Sequence, residues 1–151
     1  MTNSVIMSGQ FAVGEPSIDR LHEECETVLA RLEAAVSANA DATSVLEELH
    51  EHLQRHFGHE ESLMAATSFP PASCHQREHV SVLEVVAEVR RRYAQGDSDP
   101  LSRLPEAVLE WFGVHASSMD SALAAWLNGP RDAESAEPPA SVAGCSAPLT
   151  T

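Results

Sequence analysis

The chain has 151 residues, with 23 Asp or Glu against nine basic residues, and a formal charge of −14 when its eight histidines are taken as neutral. That length suits one domain with a real core, and the acidic excess argues against nucleic acid or an anionic lipid surface as a partner, since both require a basic face. No apolar run approaches the roughly 20 residues that span a bilayer, and Met1 to Gln10 hold no basic stretch followed by an apolar one, so no secretory signal is expected. Cys25, Cys74 and Cys145 are too few and too scattered for a disulfide framework. A monomer in the reducing cytoplasm, with no membrane or nucleic-acid partner, is the expectation.

Residues 1–17 read as an extended N-terminal arm that closes on the turn-prone Gly14-Glu15-Pro16-Ser17. Helical periodicity then begins, with Ile18, Leu21, His22, Cys25, Val28, Leu29 and Leu32 on one face of a helix that stops before Asn39-Ala40-Asp41. A second helix is predicted from Ser44, where Ser44 and Glu47 have capping-box spacing, to about Ala66. Its seam is Leu46, Leu49, Leu53, His56, Glu60 and Leu63. Pro70-Pro71 separates it from a third helix with the seam His75, His79, Val82, Val86, Val89 and Tyr93, ending before Gly96-Asp97. A fourth runs from about Leu101 to Leu127, with Leu104, Val108, Trp111, His115 and Ala122 in register. From residue 129 to 151 the chain reads GPRDAESAEPPASVAGCSAPLTT, a composition that cannot bury enough apolar surface to offset its ordering entropy, so a flexible tail is expected. The fold class is therefore all-α, an antiparallel up-down-up-down four-helix bundle over residues 18–128.

The seams hold polar residues where a core should be. His56, Glu60, His75, His79 and His115 occupy the stripe that ought to carry Leu or Val, and His22 sits beside Leu21 and Cys25. A buried carboxylate or imidazole is costly unless paired, hydrogen-bonded or bound to metal. Any one of these histidines could be a satisfied core residue; the group resists that reading. His56/Glu60 and His75/His79 are i,i+4 pairs that project from one side of their helices, and bundles build metal sites from inward side chains on facing helices. Asp120, five residues after His115, supplies a second carboxylate opposite Glu60. Six or seven N and O donors exceed what one tetrahedral zinc takes and suit two first-row metal ions bridged by carboxylates. The ferritin-type Glu-x-x-His motif occurs once, at Glu47 and His50, where two are needed, and the His-Glu-x-x-His of zinc peptidases is absent. His50, His52 and His59 are read as surface residues or as partners of the site residues, although His52 or His59 could replace His56 as a ligand on spacing alone.

At this point the chain resembles the hemerythrins. The resemblance runs from about Phe11 to Leu127 and rests on Val13-Gly14-x-x-x-Ile18-Asp19-x-x-His22, on His56-Phe57-x-x-Glu60-Glu61-x-Leu63-Met64, on Phe69-Pro70 and His75-x-x-x-His79, and on Trp111-Phe112-x-x-His115-x-x-x-x-Asp120. It implies a non-haem centre of two Fe ions that binds dioxygen reversibly, for carriage, storage or sensing. By the same resemblance, one iron takes His75, His79 and His115, and the other takes His22 and His56 and keeps an open position. Glu60 and Asp120 bridge them together with an oxo or hydroxo group.

Leu21, Cys25, Met7 and Ala116 depart from the usual family pattern and bear on the shape of the oxygen pocket. They motivate an alternative in which the same centre works as a peroxidase or nitric oxide reductase. Cys25 reads as a small buried hydrophobe, Cys74 as a bystander, and Cys145 falls in the tail. Glu61 reads as solvated or as a neighbour of a ligand. Gly58 has no evident reason, and Arg90-Arg91-Arg92 reads as a solvated helix end.

Overall fold

The computed structural model describes residues 9–129. The tail expected after Gly129, with Cys145, and the position of Met7 lie outside the described residues. Four long helical stretches follow one another: α1 (Pro16–Ser37), α2 (Thr43–Thr67), α3 (Ala72–Ala94) and α4 (Asp99–His115), the last continuing through a π-helical segment, Ala116–Asp120, into α5 (Ser121–Asn128). Among the described residues there is no strand. Links of a few residues turn each helix back on its predecessor, and α1 packs on α2 and α4 while α3 packs on α2 and α4, closing the four-helix bundle. No described helix is long and apolar enough to cross a membrane.

The helix starts differ from expectation in how they are capped. Pro16 takes the first helical position of α1, where its missing N–H costs nothing, and the Glu15 carboxylate accepts the Ile18 N–H at 2.9 Å. At α2 the Ser44/Glu47 capping box does not form. Ala42 is the capping residue and gives no side-chain bond; Asp41 instead accepts the Thr43 N–H at 3.0 Å and its hydroxyl at 2.6 Å. A short polar side chain two residues upstream competes well for the same donors.

The buried face of α1 contains every residue that its periodicity placed there, from Ile18 to Leu32, together with Glu26. In α2 the core turns from Glu60 to Met64, leaving Leu63 half-buried, and in the last helix Phe112 and Leu123 are buried while Trp111 and Ala122 are only partly so. The apolar side chains form two clusters. The larger contains Cys25, Leu29, Leu49, Leu53, Val82, Val86, Leu104 and Phe112; the smaller contains Ile18, Met64, Phe69 and Leu123. Along every helix the polar positions identified above fall between members of these two clusters, so a polar layer crosses the bundle between two dry ones. The triple arginine is engaged: Arg90 pairs with Glu47 of α2, Arg91 with Glu88, and Arg92 with Asp97.

Two substitutions test this packing. Leu49 is fully buried, so Leu49→Ala is expected to cost about 2–5 kcal/mol in urea unfolding. A methyl group added at Gly58 meets nothing within 4 Å, so Gly58→Ala is expected to raise stability by about 0.5–1 kcal/mol, the helical cost of glycine.

Candidate metal centre

Each helix contributes to the polar layer: His22 from α1, His56 and Glu60 from α2, His75 and His79 from α3, His115 from the end of α4, and Asp120 from the end of the π segment. All seven are at most 2 % exposed. Their donor atoms divide into two groups around the carboxylates. Glu60 Oε1 lies 2.9 Å from His56 Nε2 and 3.8 Å from His22 Nε2, and Asp120 Oδ2 lies 3.0 Å from His22 Nε2. The other two oxygens face the remaining imidazoles. Glu60 Oε2 is 3.2 Å from His79 Nε2 and 3.3 Å from His75 Nε2, and Asp120 Oδ1 is 3.0 Å from His75 Nε2 and 3.1 Å from His115 Nε2. Each carboxylate therefore presents one oxygen to a two-histidine set and one to a three-histidine set.

This donor set fits metal ions better than it fits itself. Glu60 Oε2, Asp120 Oδ1 and His75 Nε2 are buried, face one another, and have no hydrogen-bond partner. Buried polar atoms are rarely left so, and three converging on one point are what a coordinated cation would satisfy. Donors of Glu60, His75, His79, His115 and Asp120 lie within 4.8 Å of one another, as do those of His22, His56 and Glu60.

The five-residue spacing of His115 and Asp120 has a structural cause that periodicity did not reveal. In an α-helix five residues turn about 500°, leaving the two side chains about 140° apart. The π segment closes i→i+5, so that the Ser121 N–H reaches the Ala116 carbonyl and Asp120 returns beneath His115. The same extra residue moves the buried stripe from Ala122 to Leu123. The spacing itself was the available signal, since no α-helix places i and i+5 on one face.

The far nitrogens of four of the five imidazoles face groups outside the layer, while His75 Nδ1 has no hydrogen-bond partner among the described residues. His22 Nδ1 is 2.8 Å from the Phe11 carbonyl, and His79 Nδ1 is 3.1 Å from Glu61 Oε1. His115 Nδ1 is 3.5 Å from Glu78 Oε2, which also accepts the Trp111 Nε1–H at 3.0 Å. The arm is thus part of the layer. Gly14 has φ +88°, a left-handed turn that suits glycine, and Asp19 accepts the Val13 and Gly14 N–H groups at 2.6 and 3.2 Å. Glu26 takes the Gly9 N–H at 3.1 Å. These contacts fix the Phe11 carbonyl over His22. Aromatic rings wall the layer: Phe57 stacks on His79 at 4.0 Å, Trp111 on His115 at 4.4 Å, and Phe112 meets His22 edge-on at 4.8 Å. Glu78 was not singled out in the sequence, Phe11, Phe57, Trp111 and Phe112 were named there without this role, and Glu61 turns out to hold a site imidazole.

The remaining histidines separate clearly. His50 contacts Arg90, and His59 lies 2.8 Å from Ser17 Oγ, away from the layer. His52 is buried, with Nε2 3.2 Å from His56 Nδ1, so it backs His56 rather than replacing it. Cys25 is a free, buried thiol beside them; burial, with the charges of Glu26, Glu60 and Asp120, pushes its pKa up and keeps it protonated.

Charge in the metal-free layer is balanced by protons. Burial pulls His22 down, yet the carboxylates of Asp120 and Glu60 raise it to about 10; burial opposes His115 as well, and Asp120 raises it to about 9. Burial pushes Glu60 up, but the four imidazoles around it hold it well below the usual carboxylate range. Burial lowers His79, and burial with the neighbouring His56 lowers His52 to about 3.

The family profile described as Hemerythrin HHE cation binding domain matches residues 14–127. The chain is similar to the bacteriohemerythrin of Ralstonia nicotianae, with 37% identity over 115 residues, 76% of this chain and 82% of the relative. It is also similar to the bacteriohemerythrin of Stenotrophomonas maltophilia, with 29% identity over 122 residues, 80% of this chain and 79% of the relative. No solved structure matches.

Two measurements follow from the site. Groups raised on folding stabilise the metal-free protein fully below about pH 6.5 and lose that contribution as pH climbs through 9 and 10; groups lowered on folding, His52 and His79, lose theirs as pH falls below 6.5. The melting temperature of metal-free protein should therefore peak near pH 6.5 and fall on both sides. Deleting the exposed Ser117 would remove the π turn and leave His115 and Asp120 four residues apart, a spacing at which an ordinary α-helix keeps both on one face. The circular dichroism is expected to stay helical, and the metal bound per chain, read by atomic emission, to stay near wild type.

Proposed function

The chain belongs to the hemerythrin family, and on that premise we propose that its buried centre holds two non-haem iron ions with an oxo or hydroxo bridge and binds dioxygen reversibly. The role is oxygen carriage, storage or sensing rather than enzymatic turnover. The observation that carries this reading is the division of the two carboxylates, one oxygen of each toward His22 and His56 and the other toward His75, His79 and His115. Carboxylates that bridge two ions need this arrangement, and five imidazoles with two bridges leave the two-histidine ion one donor short of its neighbour.

Two ferrous ions held there supply the electrons that reversible oxygen binding draws on. The protein's own residues do the rest. Helices fix the imidazoles, so little reorganisation is needed when ions enter. The Phe11 carbonyl selects the tautomer of His22 that leaves Nε2 free for metal, and Glu61 does the same for His79. Phe57, Trp111 and Phe112 exclude water, which protects a polar adduct from stray protons. An enzyme on the same centre gains no observation of its own, because Cys25 and Ala116, which motivated it, are packed into the larger apolar cluster. The same reading makes the protein a cytoplasmic monomer without nucleic-acid or membrane partners, in keeping with its acidic charge.

The test is metal content with the optical spectrum of anaerobically reduced protein. Two irons per chain are expected, together with a visible band that forms on exposure to air and fades on deoxygenation. Asp120→Ala should hold at most one iron, and His59→Ala should hold two. Fewer than two irons in wild type, or bleaching that deoxygenation does not reverse, overturns the proposal.

A further inference from the structure

His52 is the one histidine outside the seven that is buried in the same layer, at 3 % exposed. It stands four residues before His56, which stands four before Glu60, so the three form a ladder up one stripe of α2. Its Nε2 lies 3.2 Å from His56 Nδ1, with the two rings near perpendicular at 77°. Its other side faces α1, where Glu24 Oε2 lies 3.7 Å from Nδ1, and Arg55 Nη2 lies 3.4 Å from the same nitrogen. Glu24 and Arg55 pair at 3.2 Å over the top and close it from solvent.

We propose that His52 is a positioning residue for His56, accepting the His56 Nδ1–H on its own Nε2 and so holding His56 Nε2 toward Glu60 and the two-histidine metal position. The inference rests on the metal reading given above. Metal binding at His56 sets the proton placement along the ladder. An imidazole that binds metal through Nε2 must carry its proton on Nδ1, and that proton needs an acceptor. His52 can accept on Nε2 only if its own proton sits on Nδ1, which faces Glu24 Oε2 at 3.7 Å and Arg55 Nη2 at 3.4 Å. A histidine kept merely to fill space would not need to bring its Nε2 to 3.2 Å from His56 Nδ1.

His52 also differs in kind from the other outer partners. His79 and His115 face carboxylates, and His22 faces a backbone carbonyl; His56 alone leans on a second imidazole. Removing that acceptor leaves a buried N–H unsatisfied and frees His56 to rotate about its side-chain bonds. The loss should therefore be local to the ion that His56 holds.

Full-length wild type, His52→Leu and His52→Gln, loaded anaerobically with ferrous iron, would be compared by the rate of iron release to a chelator. The expected result is that His52→Leu releases one of its two irons about tenfold faster or more, with the second unchanged, while His52→Gln, which keeps an acceptor, stays near wild type. Melting of the metal-free variants controls for folding. Independently, nitrogen-15 NMR of metal-free wild type should show scalar coupling across the His52–His56 hydrogen bond. If that coupling is absent, or if a His52→Leu variant that melts like wild type releases both irons at the wild-type rates, the positioning role is overturned. Should wild type itself bind fewer than two irons, the di-iron reading fails instead, and the coupling still decides whether His52 holds His56.

Discussion

Two carboxylates buried among five imidazoles constrain everything else in this bundle. Glu60 and Asp120 are removed from water by helices on every side, and a carboxylate in that position must be matched by positive charge and by hydrogen bonds or coordination. Protons on His22 and His115 supply the charge in the metal-free protein, but they cannot satisfy all the oxygens. Glu60 Oε2 and Asp120 Oδ1 stay without a hydrogen bond. Bound metal would satisfy the oxygens that those protons leave without a partner. The two apolar clusters on either side then have a second role. They keep water from doing the same work.

The π segment shows how the backbone is shaped by that demand. One extra residue in a helical turn costs hydrogen-bond geometry, and such turns occur mostly where a site needs them. Here the extra residue brings Asp120 under His115, within 3.1 Å, and puts both on the face that meets Glu60. Its cost falls on the exposed side, where Ser117 and Ser118 direct their hydroxyls back to the Val114 carbonyl and Ser121 bonds the Ala116 carbonyl. Hydroxyls thus serve carbonyls that the widened turn leaves without an ordinary helical partner. Serine at these positions, which periodicity reads as indifferent surface, has a use.

Much of the bundle was legible because α1, α2 and α3 obey a single period, and polar residues in an apolar stripe are a signal that needs no alignment. The i,i+4 pairs His56/Glu60 and His75/His79 gave themselves away by spacing. Asp120 was found by its chemistry and not by its register, since a straight α-helix would turn it away. The displacement of Ala122 by Leu123 has the same origin, a change of period inside one helix; Phe112, four residues after Val108, takes the buried place of Trp111 ahead of that change. Glu78, Glu61, His52 and Phe11 could not be assigned from spacing because their roles depend on which helix lies opposite. A carboxylate on an amphipathic helix looks solvated until the neighbouring helix is in place. The capping of α2 by Asp41 in place of Ser44 is a choice between near-equal local hydrogen bonds, and sequence does not rank those.

The outer partners make the two halves of the layer unequal. His79 and His115 are backed by the carboxylates of Glu61 and Glu78, while His22 and His56 are backed by a neutral carbonyl and a neutral imidazole. An imidazole that gives its proton to a carboxylate is the more basic ligand, so the three-histidine side gains in number of donors and, at His79, in strength. Under the di-iron reading that side is the anchored one, and the side with fewer and weaker donors is where a small molecule can enter and leave. The neutral backing is also the adjustable one. The Phe11 carbonyl belongs to the arm, which is tied down by Asp19 and Glu26, and any movement of the arm is felt at His22 before it is felt elsewhere. Carboxylate backing on one side and neutral, chain-dependent backing on the other divide the labour between holding metal and exchanging ligand.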